Sequence, residues 1–239
     1  MTDIRSGTRS VLEGASDLIT ELLPKLDSLR SDVTLKSDGT PVTQADLLLQ
    51  QALERYLSSH MEDLTFVGEE GQWDPEAEPQ GWTAVVDPID GTENFASNLP
   101  EWGVAVSIFR GPRHAGSMIV LPDLGKRLIT GDTVTYASSR ITAFSSAISD
   151  ELVEQLARTP QARLMGAAVY NLYGVCTGRL ATFINPVGAY SWDLLAGVQL
   201  ALEHNCEVYI DDEPYRGGYI YPGRRYRLEV RHRYDRHPR

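Results

Sequence analysis

The chain is poor in cysteine. Cys176 and Cys206 are the only two among 239 residues, and they form no CxxC spacing. That excludes zinc-ribbon and thioredoxin-like readings. It also lacks any apolar run near the ~20 residues that a membrane helix needs. Its first residues are charged at Asp3 and Arg5, where a signal peptide would carry an apolar core. The reducing cytoplasm is the expected compartment, with no membrane partner. Lys and Arg are scarce, 22 against 33 Asp and Glu, and the net charge of −11 excludes a general nucleic-acid-binding surface. The histidines form no HExxH. Gly111 to Gly116 has P-loop glycine spacing, but Ser117 stands where Lys is required, and Gly116-Ser117 lacks the glycines of a nucleophile elbow. There is no internal repeat and no low-complexity linker.

What the chain does carry is 42% hydrophobic residues, enough for one large domain or two fused lobes. Its charge is uneven. From Glu213 to Arg239, eight Arg face only Glu213, Glu229 and Asp235, a local +5 that leaves −16 on the rest. This reads as a basic tail and edge strand, with a contact to a phosphorylated ligand or partner as the alternative. Leu12, Ala15, Leu18, Ile19, Leu22, Leu26 and Leu29 recur at helical spacing and predict an amphipathic helix, kinked or split at Pro24. Val33 to Pro41 reads as a loop turning at Asp38-Gly39. A second helix starts near Thr43, where Thr43-Gln44-Ala45-Asp46 has the shape of a capping box with Asp in place of Glu. A short strand at 65–68, a polar loop at 72–81 and a buried strand at 83–86 follow. Then come strands of one sheet at 104–109, 116–121 and 127–130. Helices are expected over 150–158, over 167–177 closed by Gly178, and from a Ser191 cap to His204. Further strands are expected at 181–184, 207–210 and 225–231, the last with Tyr226, Leu228 and Val230 on one face. Interleaved helices and strands imply a layered α/β architecture.

The densest chemical signal is Val85-Val86-Asp87-Pro88-Ile89-Asp90-Gly91-Thr92-Glu93-Asn94-Phe95. An apolar run ends in two aspartates three positions apart. Hard cations such as magnesium take carboxylate oxygens together with water and phosphate. Pro88 stiffens the turn, and Ile89 can pack its side chain inward while its carbonyl faces a metal. Gly91 lets a backbone N–H approach a phosphate closely, and Thr92 adds a hydroxyl and another N–H. If a helix begins here, its first amides favour a bound phosphate. Asp-Pro and Asp-Gly are also common turn dipeptides, so a plain turn competes with this reading. Two further acidic segments add weight to the first: Val67-Gly68-Glu69-Glu70 at a strand end and Trp192-Asp193 at a helix start. Each alone would pass for an exposed pair or a cap.

Together, Val67 to Glu70, Asp87 to Phe95 and Trp192-Asp193-Leu194-Leu195-Ala196-Gly197 resemble the signature set of the inositol monophosphatase family, the lithium-sensitive, magnesium-dependent phosphatases. The similarity runs from about Lys36 to Gly197. It implies a sugar-phosphatase-type fold, a mixed α+β layered sandwich. A lobe over 1–130 would hold the metal motifs, and a lobe over 131–239 would contribute Asp193 and substrate contacts. The resemblance also implies a homodimer. By position it implies Glu69, Asp87, Ile89 (through its carbonyl), Asp90 and Asp193 as ligands of two or three Mg²⁺, with Asp87 bridging two ions and Glu70 behind them. Thr92 matches the threonine that orients the attacking water, and Asp46 matches the aspartate bonded to that threonine. With Glu69 these are the implied catalytic residues. Gly91, Thr92, Glu93, Ala168, Asn185 and Asp193 are the implied substrate contacts, and Lys36 matches a basic residue on the family's mobile loop. The implied reaction is in-line attack by a metal-bound water on a small phosphorylated metabolite of sugar, cyclitol or nucleoside type, with no protein nucleophile.

The substrate end departs from the family pattern. Asn185 or Pro186 falls where inositol phosphate hydrolases carry a sugar-gripping glutamate. Gly166-Ala167-Ala168 replaces Gly-Ser or Gly-Thr, Ala181 replaces an Asp, and Glu203-His204-Asn205-Cys206 replaces Glu-Ala-Gly-Gly. The stretch from Leu121 to Arg163 is short. The leaving group is therefore open. The alternatives are a 3′(2′),5′-bisphosphate (3′-phosphoadenosine) nucleotidase, a histidinol-phosphate phosphatase or a specialised-metabolite phosphatase. A non-catalytic metal- or partner-binding member is the alternative of a different class.

Overall fold

The computed structural model describes residues 2–36, 39–71, 74 and 78–233, with side chains from residue 7 onward. Asp38 of the expected turn, part of the 72–81 loop and the basic tail beyond Arg233 lie outside the described residues. Helix α1 (Thr2–Asp27) buries Leu12, Ala15, Ile19 and Leu26 completely. It passes Pro24 as one helix and is not split there, because a proline in the last turn removes a single backbone bond. Strands β1 (Val33–Leu35) and β2 (Pro41–Thr43) pair antiparallel where the sequence reads as a loop. All of β1 is exposed, and at three residues it is too short for its Val-Thr-Leu alternation to mark a buried face.

Thr43 caps α2 (Gln44–His60). Its N–H and hydroxyl donate to Asp46 Oδ2 at 2.8 and 2.6 Å, and its oxygen accepts from the Ala45 amide at 3.1 Å. Strands β3 (Leu64–Gly68), β4 (Trp82–Asp90), β5 (Gly103–Arg110), β6 (Arg113–Leu121) and β7 (Lys126–Ile129) form a sheet in that order, with only β3–β4 parallel. Helix α3 (Thr92–Ala96) follows β4, and a 3₁₀ turn (Pro122–Leu124) follows β6. Ala84, Val86, Val104, Val106, Met118 and Val120 pack against Leu12, Ile19, Leu49 and Leu53 of α1 and α2. Their neighbours Val85, Ala105 and Ile119 point the other way into a second core. Burial on both faces is why these strands read as unbroken apolar runs.

The second half runs β8 (Thr142–Phe144), α4 (Asp150–Arg158), β9 (Ala162–Leu164), α5 (Ala168–Cys176), β10 (Thr182–Ala189), α6 (Ser191–Glu203), β11 (Cys206–Ile210), β12 (Glu213–Pro214) and β13 (Tyr226–His232). Its sheet has the order β12-β11-β13-β10-β8-β9. Leu172, Val175, Leu194, Leu195 and Val198 of α5 and α6 share one core with Val85, Ala105 and Ile119 on one side and Phe183, Val208 and Val230 on the other. The order of layers is therefore helix pair, sheet, helix pair, sheet. Helix α4 lies over the outer face of the second sheet, where Glu151 meets Arg227 of β13 at 2.7 Å. The N-cap of α6 is Tyr190, not Ser191. The Tyr190 N–H donates to Asp193 Oδ2 at 2.8 Å, while Ser191 is already helical and its hydroxyl is buried without a partner. Among the described residues no helix is long and apolar enough to cross a membrane.

Candidate active site

Strand β4 pairs with β5 as far as Asp87 opposite Ala105, then slips by one residue so that Asp90 lies opposite Gly103. The bulge falls at Pro88, which has no N–H for the ladder. The freed Ile89 N–H turns to Asp87 Oδ1 at 3.1 Å. This brings Asp87 and Asp90 to the same end of the sheet. Gly91 then takes φ +84°, and a Cβ there would lie 2.8 Å from Ala167 Cβ and 3.3 Å from the Glu101 carbonyl. Only glycine permits that turn into α3. Asn94 Nδ2 donates to the carbonyls of Glu101 and Met165, both at 2.7 Å, and so ties α3 to the chain entering α5. At the start of α5 the Val169 N–H donates to Asp90 Oδ2 at 2.5 Å.

Helix α6 brings Asp193 from more than a hundred residues away. Carboxylate oxygens of Asp87, Asp90 and Asp193 lie within 4.8 Å of one another. Glu69 follows β3, its N–H bonded to the Val86 carbonyl at 3.2 Å, and its Oε1 meets Lys36 Nζ at 2.8 Å. Lys36 also pairs with Glu70, whose N–H is held by Gln50 Oε1 at 2.9 Å. On the other flank Thr92 Oγ1 stands 3.2 Å from Asp46 Oδ1 and 3.1 Å from the Ile89 carbonyl. The capping aspartate of α2 and the hydroxyl of α3 are thus in contact, and one carboxylate serves both.

Electrostatics mark the cluster as unsatisfied. Burial, and after it the charge of Asp193, pushes Glu69 up to about 7 despite Lys36. Asp87 is raised well above the carboxylate range by burial and by Glu69, Asp90 and Asp193. Asp90 is raised by burial and by Asp193, and Asp193 is raised by burial. Asp46 is raised by burial against the hydrogen bonds from Thr43. Burial works against the Lys36 ammonium, but Glu69 and Glu70 outweigh it and hold it charged. Among the described residues Asp87 Oδ2 is buried with no hydrogen-bond partner. Carboxylates packed this way hold protons unless a cation replaces them. An all-oxygen donor set with an orphaned buried oxygen fits a hard divalent cation.

Beside Asp90 and Asp193 opens a cavity of about 170 Å³ bounded by Ala167, Ala168, Asn171 and Asn185. Asn185 Oδ1 is taken by the Gly188 N–H at 2.9 Å, which leaves Nδ2 as the group it can offer. Glu93 is exposed on α3 and does not line this cavity. Four contributors were not singled out from the sequence: Asn94, Gln50, Asn171 and Arg225. Asn94 lies inside the motif itself and was open to recognition. The other three stand in unremarkable contexts and depend on the fold to reach the site.

The chain matches the sequence profile of the inositol monophosphatase family over residues 2–139. It is 34% identical over 95 residues to a 3′(2′),5′-bisphosphate nucleotidase CysQ of Aggregatibacter actinomycetemcomitans, a segment covering 39% of this chain and 35% of that protein. It is 27% identical over 210 residues to the Nus factor SuhB of Pasteurella multocida, covering 77% and 76%. A crystal structure of an IMPase/NADP phosphatase complexed with NADP and Ca²⁺ superposes with a TM-score of 0.80 at 18% identity, covering 96% of this chain and 92% of that one. At that identity the likeness speaks to the fold alone. Asp193 lies beyond the matched residues 2–139, and it is the fold that carries it to Asp87 and Asp90. With the profile spanning more than half its length and the layered sandwich shared, the chain belongs to the inositol monophosphatase family, a family of phosphoric monoester hydrolases.

Proposed function

We propose that the protein is a magnesium-dependent phosphomonoesterase that releases phosphate from a small phosphorylated metabolite by in-line attack of water. One observation carries this reading: Glu69, Asp87, Asp90 and Asp193 converge from β3, β4 and α6 with their acidities suppressed, and among the described residues Lys36 is the cation ion-paired to them. Glu69, Asp87, Asp90, Asp193 and the Ile89 carbonyl would hold two or three Mg²⁺. Bound magnesium supplies charge neutralisation for the phosphoryl oxygens and leaving group and makes water more acidic.

The chain's own groups do the rest. Thr92 Oγ1, oriented by Asp46, positions the water, and the buried Asp46 carboxylate is the proton acceptor behind it. The N–H groups of Gly91, Thr92 and Glu93 hold phosphoryl oxygens where α3 begins. The cavity bounded by Ala168 and Asn185 receives the leaving group. In this reading residues 1–130 form the metal-holding lobe and 131–239 the substrate lobe. The family resemblance is the ground for expecting a cytoplasmic homodimer, which sedimentation would test.

The Asn185 wall offers an amide where an inositol-gripping glutamate would stand, so a leaving group other than inositol suits the cavity. A panel of sugar, cyclitol, nucleoside and histidinol phosphates, read by released phosphate with magnesium or with chelator, tests the proposal. Turnover of at least one member only with magnesium is expected. No magnesium-dependent turnover across the panel sinks the enzyme reading in favour of a binding protein. Lithium at millimolar concentration is expected to inhibit by taking a magnesium position, and insensitivity would remove that part.

A further inference from the structure

We propose that Arg225 forms a subsite for a second phosphoryl group, so that bisphosphorylated metabolites bind in preference to their monophosphates. This rests on the phosphatase reading above. A second cavity, of about 300 Å³, also borders the carboxylate cluster, and its lining includes Lys36, Glu69, Tyr190, Trp192, Asp193 and Arg225. It shares Asp193 with the smaller cavity, so one ligand can reach into both.

The chain builds the position of Arg225 deliberately. The β10–β13 pairing slips between Asn185 and Ala189, and Gly188 sits there at φ +90°. A Cβ at Gly188 would lie 3.1 Å from the Tyr226 backbone and 3.2 Å from Arg225 Cβ. That close approach carries Arg225 to the start of α6. There its guanidinium lies 5.1 Å from the Tyr190 ring, and Tyr190 is stacked on buried Trp192 at 4.7 Å and 20°. A guanidinium laid on a ring keeps its N–H edge for an anion.

The neighbouring arginines are spent on other partners. Arg224 pairs with Asp211 at 2.8 Å, Arg227 with Glu151 at 2.7 Å, Arg231 with Glu229 at 2.5 Å and Arg233 with Glu207 at 3.0 Å. Among the described residues Arg225 has no carboxylate at ion-pair distance, although its charge already favours the ionised form of Asp193. A planar donor fork left open in a cavity beside a phosphoryl site suits a second phosphoryl group.

The test compares adenosine 3′,5′-bisphosphate with adenosine 3′-monophosphate, and fructose 1,6-bisphosphate with fructose 6-phosphate. Each is measured as an inhibitor of p-nitrophenyl phosphate hydrolysis and by titration calorimetry on the calcium-loaded protein. The bisphosphate is expected to bind at least about tenfold tighter in one pair or both. Arg225→Ala should cut that ratio to about twofold or less, and Arg225→Lys should restore part of it. A ratio cancels any effect of Arg225 on Asp193 itself. Equal affinities in both pairs, or a preference that survives Arg225→Ala, overturn the subsite. Absence of magnesium-dependent phosphate release from p-nitrophenyl phosphate and from every metabolite of the panel overturns the phosphatase reading instead, while the calorimetry still decides the subsite.

Discussion

Asp46 and Thr92 show how one residue can carry two loads. Asp46 Oδ2 closes the cap of α2, and Oδ1 faces the Thr92 hydroxyl at 3.2 Å. Thr92→Ala removes the hydroxyl and leaves the cap. It should lower kcat by about 10²–10⁴-fold with little change in Tm, because a positioned proton-transfer group is lost and no core contact is. Asp46→Ala should lower kcat similarly but also cost about 1 kcal/mol of stability through the lost cap. Equal Tm losses in the two variants would contradict the division of labour.

The same scale gives a pH dependence. Glu69 titrates near 7 in the folded, metal-free protein, against about 4.3 in an unfolded chain. Between those values the folded state holds the extra proton, so this group's stabilisation is full at low pH and is lost as pH rises towards 7. The raised Asp87, Asp90 and Asp193 act in the same direction. Magnesium competes with those protons. The metal-free Tm is therefore expected to fall from about pH 5.5 to 7.5, and added magnesium should flatten the fall. Thermal scans with and without the metal check this, and a metal-free Tm that rises over the interval would refute it. The identities of these acids were legible in sequence, because Asp87, Asp90 and Thr92 lie within six residues. Arg225 was not legible, because one arginine among eight near the C-terminus carries no mark of which neighbour it will find.

At the scale of elements, the turn from β4 into α3 decides whether the acids meet the phosphate-facing amides. Gly91→Ala places a side chain at φ +84° and 2.8 Å from Ala167 Cβ. Backbone strain of about 1–3 kcal/mol follows, and a fall in Tm of about 2–4 °C for each kcal/mol is expected by calorimetry. An unchanged Tm would mean that α5 yields at no cost. Elements with strong periodicity or caps were readable beforehand. The box at Thr43-Asp46 and the helix at Asp150–Arg158 stand where the residues indicate. Weak signals failed for physical reasons. Strands β8 and β9 are three residues each and take their definition from β10 and from each other, and β1 is wholly exposed. The cap of α6 was misplaced by one residue because the Asp193 side chain satisfies the Tyr190 amide itself.

For the whole molecule, α5 and α6 between the two sheets mean that the halves share a core. The first sheet cannot bury its inner face without α5 and α6 of the second half, so a single cooperative unfolding transition is expected by calorimetry. Two separated transitions would contradict the shared core. The layered class was readable from interleaved elements. Which strands neighbour which was not, because β12-β11-β13-β10-β8-β9 is an order that only long-range pairing sets.

The account stands or falls on the acidic cluster, and Asp90→Asn probes it most directly. The amide keeps an oxygen for the Val169 N–H and takes one acid out of a crowded, buried cluster, so the metal-free variant should melt at or above the wild-type temperature. The decisive measurement is phosphate release from p-nitrophenyl phosphate during a magnesium titration of both proteins. Saturable activation of the wild type and none of the folded variant is the expected result. Full activity in Asp90→Asn, or wild-type turnover indifferent to chelation, would contradict the account.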